Sequence, residues 1–164
     1  MRNIVNGGPV PDVQLGRMTG GEIQSVSARE FFAYGRAIVL GIPGAFTPIC
    51  TIQHIPDFVQ NADKLRASGI AHLVCIAPND PFVLNEFALQ VDPTNRIEFL
   101  SDGNLDFVSA LHLKIRNKNL FIGWRSERYL LVIENGQIMR LRVEPNILTY
   151  SCTRAVDALN SVYV

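Results

Sequence analysis

A chain of 164 residues is long enough to close one hydrophobic core and short for two. With 48% hydrophobic and 18% charged residues its composition is globular rather than disordered. Fifteen basic residues balance fifteen acidic ones, so no charge excess draws nucleic acid or an anionic membrane to it.

The longest apolar stretch, "AIVLGIPGAF", is too short to span a bilayer. The opening "MRNIVNGGPVPDV" has neither a long apolar run nor a basic amphipathic pattern, and a cytoplasmic location is expected. The three cysteines, Cys50, Cys75 and Cys152, do not make a secreted disulfide framework. Each is either a small buried hydrophobe or a reactive thiol.

In chain order, "NGGPVPDVQL" reads as an extended entry dominated by Gly and Pro. "SAREFFAYG" predicts a short helix capped by Ser27. "RAIVLGI" is an apolar run suited to a strand buried on both faces. After the turn "PGAF", Ile52, Ile55, Phe58, Val59, Ala62 and Leu65 recur at helical steps, and Gly69 suits a left-handed cap. "AHLVCIAP" predicts a second buried strand, and "DPFVLNEFALQV" a helix with Asp80 as cap and Pro81 at its first position. "IEFLSD" reads as a strand and "NLDFVSALHL" as a short helix. "RYLLVIENGQIMRLRVE" is two β-runs joined by Asn135-Gly136, a strong hairpin pattern. Ala155, Val156 and Leu159 mark a closing helix. Parallel crossovers followed by a hairpin predict an α/β fold in one domain, a mixed central sheet with helices on both faces.

The chemistry concentrates in "GIPGAFTPICTIQHIPDF". Thr47 is a good N-cap and Pro48 fits the first helical position, which puts Cys50 in the first turn. Unpaired backbone N–H groups and the positive end of the helix dipole there favour a thiolate. The Thr47 hydroxyl can point at the same spot, and Pro43 can wall it off from water. Taken alone, these residues allow either a reactive or an inert Cys50, because a capped helix start is a common arrangement.

Pro43, Thr47 and Cys50 fit the P-x-x-x-T-x-x-C motif of peroxiredoxins. The wider strings "PGAFTPIC", "HIPDF", "NDPFV" and "RSERYLLVIENGQI" resemble the type II, peroxiredoxin-5-like group, and the similarity runs through nearly the whole chain. That resemblance implies a thioredoxin-like fold and a peroxidase needing no cofactor or metal. Hydrogen peroxide and organic hydroperoxides are the implied substrates. A thiol reductant, glutaredoxin with glutathione or thioredoxin, is the implied partner, together with a second copy in a homodimer through the surface around the active-site loop, for which the sequence itself offers aromatic candidates such as Phe46 and Phe82. It gives Cys50 the peroxidatic role, Thr47 the orientation of the peroxide, Pro43 the shielding, and Arg128 the stabilisation of the sulfur and leaving oxygen. Arg125 is expected to support from behind. His54, one turn after Cys50, is expected to be a structural histidine at the rim of the pocket. Asp57 stands where the group usually has Gly and is expected to face solvent.

The oxidised Cys50 must be returned by another thiol. The resemblance offers Cys152, at a spacing after "VEP" like that of the animal members, though "NILTYSC" lacks their Gly-rich loop. It also offers Cys75, which matches a cysteine of the plant members, and an external thiol remains a third route. A thioredoxin-like disulfide oxidoreductase is disfavoured because Thr51, Ile52 and Gln53 follow Cys50 and no C-x-x-C pair forms. A redox-sensor or holdase role would be separated from peroxidase activity by turnover with a thiol reductant.

Overall fold

The computed structural model describes residues 8–162. A seven-stranded sheet forms the centre, and three of its inner strands come from the apolar runs: β3 (Arg36–Gly41), β4 (Ile70–Ala77) and β8 (Tyr129–Glu134). β3 pairs in parallel with β4, and β4 in parallel with β5 (Glu98–Ser101). β8 pairs antiparallel with β3 on the other side and turns back into β9 (Gln137–Val143). The hairpin turn is at Asn135 (φ 48°) and Gly136 (φ 76°), the left-handed pair that matches strand twist.

The other edge is a hairpin that the extended-entry reading missed. β1 (Gln14–Thr19) and β2 (Glu22–Ser27) turn at Gly20-Gly21, both at positive φ, and β1 adds antiparallel to β5. The strand order is β2-β1-β5-β4-β3-β8-β9. A separate two-stranded ribbon, β6 (Lys114–Asn117) with β7 (Gly123–Ser126), also went unpredicted, because its residues are mostly polar and lack an apolar period.

Alternation along the inner strands divides the core in two. Ile38, Leu40, Leu73, Cys75, Leu130 and Val132 face one side, where α2 (Ile55–Ala67), α3 (Pro81–Val91) and α5 (Ala155–Val162) cover them. Ala37, Val39, Val74, Ile76, Tyr129 and Leu131 face the other, under α1 (Ala28–Phe31) and α4 (Asp106–Ala110). Helices therefore lie on both faces of a mixed sheet. Ser27 caps α1 through Glu30 N, and Asp80 caps α3 through Phe82 N and Val83 N, as their sequences predict. No helix of the described residues is long and apolar enough to cross a membrane.

The main departure lies at the start of α2. Residues Cys50–His54 form a π-helical turn rather than a regular α-helical one. Its extra residue shifts the helical phase by about 100°. Ile52, expected on the buried face, is consequently 71% exposed, while Cys50 and His54 are fully buried. In α5 Val156 is likewise exposed, and Ala155 and Ala158 carry the packing.

Candidate active site

The turn Pro43–Ala45 emerges from the end of β3 and is fixed from several sides. Ile42 N donates to Ile76 O (3.1 Å), Ser126 Oγ donates to Ile42 O (3.1 Å), and Ala45 N donates to Asn79 Oδ1 (2.7 Å). Pro43 and Gly44 are buried. A Cβ on Gly44 would lie 2.6 Å from Arg125 Nη1, so a side chain there would displace that guanidinium. Arg125 also donates from Nε to Ile122 O (2.9 Å), which leaves it braced behind the turn, with no hydrogen bond to Cys50.

Thr47 does not cap the helix with its side chain. Its Oγ1 donates to Gly44 O (2.8 Å), and its own carbonyl accepts from Thr51 N (3.0 Å) and Thr51 Oγ1 (2.8 Å). With its proton committed to Gly44, the Thr47 hydroxyl keeps only acceptor capacity for anything that enters.

Arg128 lies just before β8 and is 1% exposed, the largest side chain buried to this degree. Its Nη1 donates to Cys50 Sγ (3.2 Å) and to His54 Nδ1 (3.0 Å), and its Nη2 donates to Ile147 O (3.0 Å). Its Nε is buried and has no protein acceptor, so one donor of the cation is unspent. The guanidinium thus joins the π-helical turn to the segment that follows β9.

His54 is not at a rim. It is fully buried between Phe58 (ring centroids 5.6 Å) and Tyr150 (5.0 Å). Burial, reinforced by the Arg128 charge, lowers its pKa to about 3; Glu144 and the Thr153 backbone pull only weakly the other way. A neutral imidazole that accepts at Nδ1 carries its proton on Nε2. That N–H faces the Thr153 backbone without completing a hydrogen bond of good geometry.

The segment 145–153 is organised by Glu144, a residue sequence reasoning passed over. Its carboxylate accepts from the N–H groups of Ser151 (2.8 Å), Cys152 (2.8 Å) and Thr153 (3.0 Å), and from the hydroxyls of Thr149, Ser151 and Thr153. Burial alone would raise its pKa, but these donors, led by Cys152 N and Ser151 N, hold it at about 2. Asp57 does not simply face solvent either. Its Oδ2 accepts from Tyr150 O–H (2.5 Å) and from Ala155 N (2.8 Å), the first N–H of α5.

All three cysteines are free thiols. Cys75 is fully buried on the same side of the sheet as Cys50. Burial raises its pKa well above the ordinary thiol value, the Cys50 charge adds to this, and Arg128 opposes it. Cys152 is partly exposed; burial and then Glu144 raise its pKa, and its Sγ contacts Val143 O at 3.5 Å. Among the described residues no group of His, Cys, Asp or Glu is arranged to hold a metal ion.

Cys50 stands at a helix start with the buried Arg128 guanidinium against its sulfur, a position in which negative charge on sulfur is stabilised. Comparison with known proteins gives the chain a family. The redoxin family model matches residues 6–159. The chain is 31% identical to peroxiredoxin-2D of Arabidopsis thaliana, covering 99% of this chain and all of that one. It superposes on reduced Prx3 of Vibrio vulnificus in complex with hydrogen peroxide with a TM-score of 0.91 at 30% identity, covering 98% and 96% of the two chains. Peroxiredoxin 5 of Alvinella pompejana is similar with a TM-score of 0.85 at 28% identity, covering 98% of each.

The chain belongs to the redoxin family, in its type II peroxiredoxin branch, with a thioredoxin-like fold. It is a thiol-dependent peroxidase, an oxidoreductase that takes a peroxide and a thiol reductant.

Proposed function

We propose that Cys50 is the nucleophile of this peroxidase and that Arg128, Thr47 and Pro43 complete its site. The observation that carries the reading is the buried Arg128 guanidinium, 3.2 Å from the Cys50 sulfur. In the proposed step the Cys50 thiolate attacks the terminal oxygen of R–O–O–H. An S–O bond forms and the O–O bond breaks. The sulfur is oxidised to sulfenic acid, and the peroxide is reduced to ROH once its leaving oxygen takes a proton. Arg128 stabilises charge on sulfur and then on the leaving oxygen, with its unspent Nε donor available for that shift. Thr47 accepts from the peroxide O–H, since its own proton is engaged by Gly44. Pro43, buried in the turn, excludes water, and Arg125 steadies that turn from behind. His54 acts as the neutral acceptor that holds Nη1 of Arg128, and no general base is needed for a thiolate.

A second thiol then attacks the sulfenic acid, forming a disulfide and releasing water, and a dithiol or glutathione reduces that disulfide. Of the two internal candidates Cys75 is favoured over Cys152. It shares a core cluster with Cys50, whereas Cys152 is held by the Glu144 clamp; burial keeps the Cys75 thiol protonated at rest, so it becomes a nucleophile once the turn opens. Because Cys50 is fully buried, either route needs the π-helical turn to open. Glutaredoxin with glutathione, or thioredoxin, is the proposed reductant, and the cytoplasm the proposed compartment. A homodimer through the face bearing Phe46 and Phe82, both about half exposed, is also proposed.

Peptide mapping after one equivalent of peroxide, under non-reducing conditions, tests the cycle. The proposal predicts an oxidised Cys50 in every molecule and a Cys50–Cys75 bridge as the internal product. A bridge to Cys152 would reverse the choice of partner, and an unmodified Cys50 would remove the nucleophile assignment.

A further inference from the structure

Asp57 is the residue whose connections reach furthest beyond the chemistry described so far. It lies in the first turn of α2, near the site in sequence, and its carboxylate is bound by the segment that leads into α5. Oδ2 accepts both the Tyr150 hydroxyl (2.5 Å) and the N–H of Ala155 (2.8 Å), while Asn61 Nδ2 reaches Oδ1 at 3.2 Å. Two donors from the far segment are therefore gathered on one charged oxygen, an arrangement stronger than neutral hydrogen bonds.

Tyr150 transmits that restraint. Its ring lies 5.0 Å from the His54 ring at an interplanar angle of 47°, and Phe58 packs on His54 at 5.6 Å. The imidazole is held between the two. It accepts Arg128 Nη1 at 3.0 Å, and the same Nη1 is 3.2 Å from Cys50 Sγ. A planar guanidinium with one of its N–H groups fixed on His54 has little rotational freedom about the sulfur. A small rotation of the imidazole would change the angle at which Arg128 meets the sulfur and an incoming peroxide.

We propose that Asp57 and Tyr150 are positioning residues for peroxide reduction: the Asp57 carboxylate fixes Tyr150, and the Tyr150 ring sets the His54 imidazole that aims Arg128 at Cys50. Neither touches the reacting atoms. The proposal rests on the Cys50 assignment above, but it adds that a carboxylate two side chains removed from Arg128 sets the oxidation rate.

The test measures the second-order rate constant for Cys50 oxidation by hydrogen peroxide, with quenching and mass analysis of Cys50. Imidazole ¹⁵N chemical shifts of His54 are read on the same reduced, full-length proteins. Asp57→Gly should slow oxidation about tenfold, since small misplacements of an aligned group cost one to two orders of magnitude. It should also move the His54 ¹⁵N shifts away from a pure Nε2–H tautomer. Asp57→Asn, which keeps an acceptor oxygen for Tyr150 and Ala155, should restore both readouts to within about twofold of wild type. Tyr150→Phe keeps the ring and loses only the anchoring hydroxyl, so it should fold normally and fall between the two.

Unchanged oxidation in both Asp57→Gly and Tyr150→Phe would overturn the proposal. So would slowed oxidation with an unaltered His54 signature, because a general loss of stability would then explain the rate. Failure of the underlying reading looks different: wild-type Cys50 itself would remain unoxidised.

Discussion

Cys50 and Cys152 are the same side chain in opposite fields. Cys50 is fully buried and its sulfur accepts a hydrogen bond from a guanidinium, whereas Cys152 is partly exposed and its backbone N–H is bound by the Glu144 carboxylate. Exposure alone would rank Cys152 as the more reactive thiol. Charge ranks them the other way, because Glu144 adds to burial in disfavouring the Cys152 thiolate, while Arg128 stabilises negative charge at Cys50. On the proposed assignment, accessibility decides which thiol can be reached, and the neighbouring charge decides which one attacks.

The largest expected effect breaks the Cys50 side of this comparison. Arg128→Ala should lower the second-order rate of Cys50 oxidation by about 100-fold or more, the scale seen when one preorganised donor is removed from a transition state. Rapid-quench kinetics with hydrogen peroxide check this. On the other side, Glu144→Gln should free segment 145–153, because an amide cannot accept at both ends from the donors gathered there. Alkylation of Cys152 by iodoacetamide should then quicken by about tenfold, and denaturant titration should show a loss of about 2 kcal/mol.

Acid should loosen the same parts in a defined order. His54 and Glu144 both have folded-state pKa values below their ordinary ones, about 3 against 6.5 and about 2 against 4.5. Across those intervals the unfolded chain binds more protons than the folded chain, so stability rises with pH. Their contribution is complete above about pH 6.5. It falls first through His54 and then, below about 4.5, through Glu144 as well. Denaturant titrations at pH 7, 5 and 4 check the slope, and His54→Gln should flatten its upper part. The smallest effect is expected from Cys152→Ser, which should leave the oxidation step within about twofold of wild type because no contact links that sulfur to Arg128 or Cys50.

The parts of the fold that the sequence revealed are those where one physical rule dominates. The apolar runs at β3, β4 and β8 had to be buried, Asn135-Gly136 had to turn, and Ser27 and Asp80 had to cap. The edge hairpin β1–β2 escaped because its face is mostly exposed and its turn, Gly20-Gly21, is marked only by the two glycines. The π-helical turn at Cys50–His54 escaped because one inserted residue leaves the composition unchanged while rotating Ile52 outward. At the site, local motifs pointed to Cys50, Thr47 and Pro43, and the resemblance pointed to Arg128. The roles of Asp57 and Tyr150 depend on contacts across 93 and 98 positions, which no local pattern encodes, and Glu144 gathers donors five to nine positions ahead in a segment with no periodic pattern. The same long-range packing moved His54 from the expected rim to the interior.

The most direct test of the central claim is a single-turnover experiment on the Cys75→Ser, Cys152→Ser double variant beside Cys50→Ser. With one equivalent of hydrogen peroxide and no reductant, the double variant should consume the peroxide at close to the wild-type rate and carry sulfenic acid on Cys50. Consumption at that rate by Cys50→Ser would contradict the account.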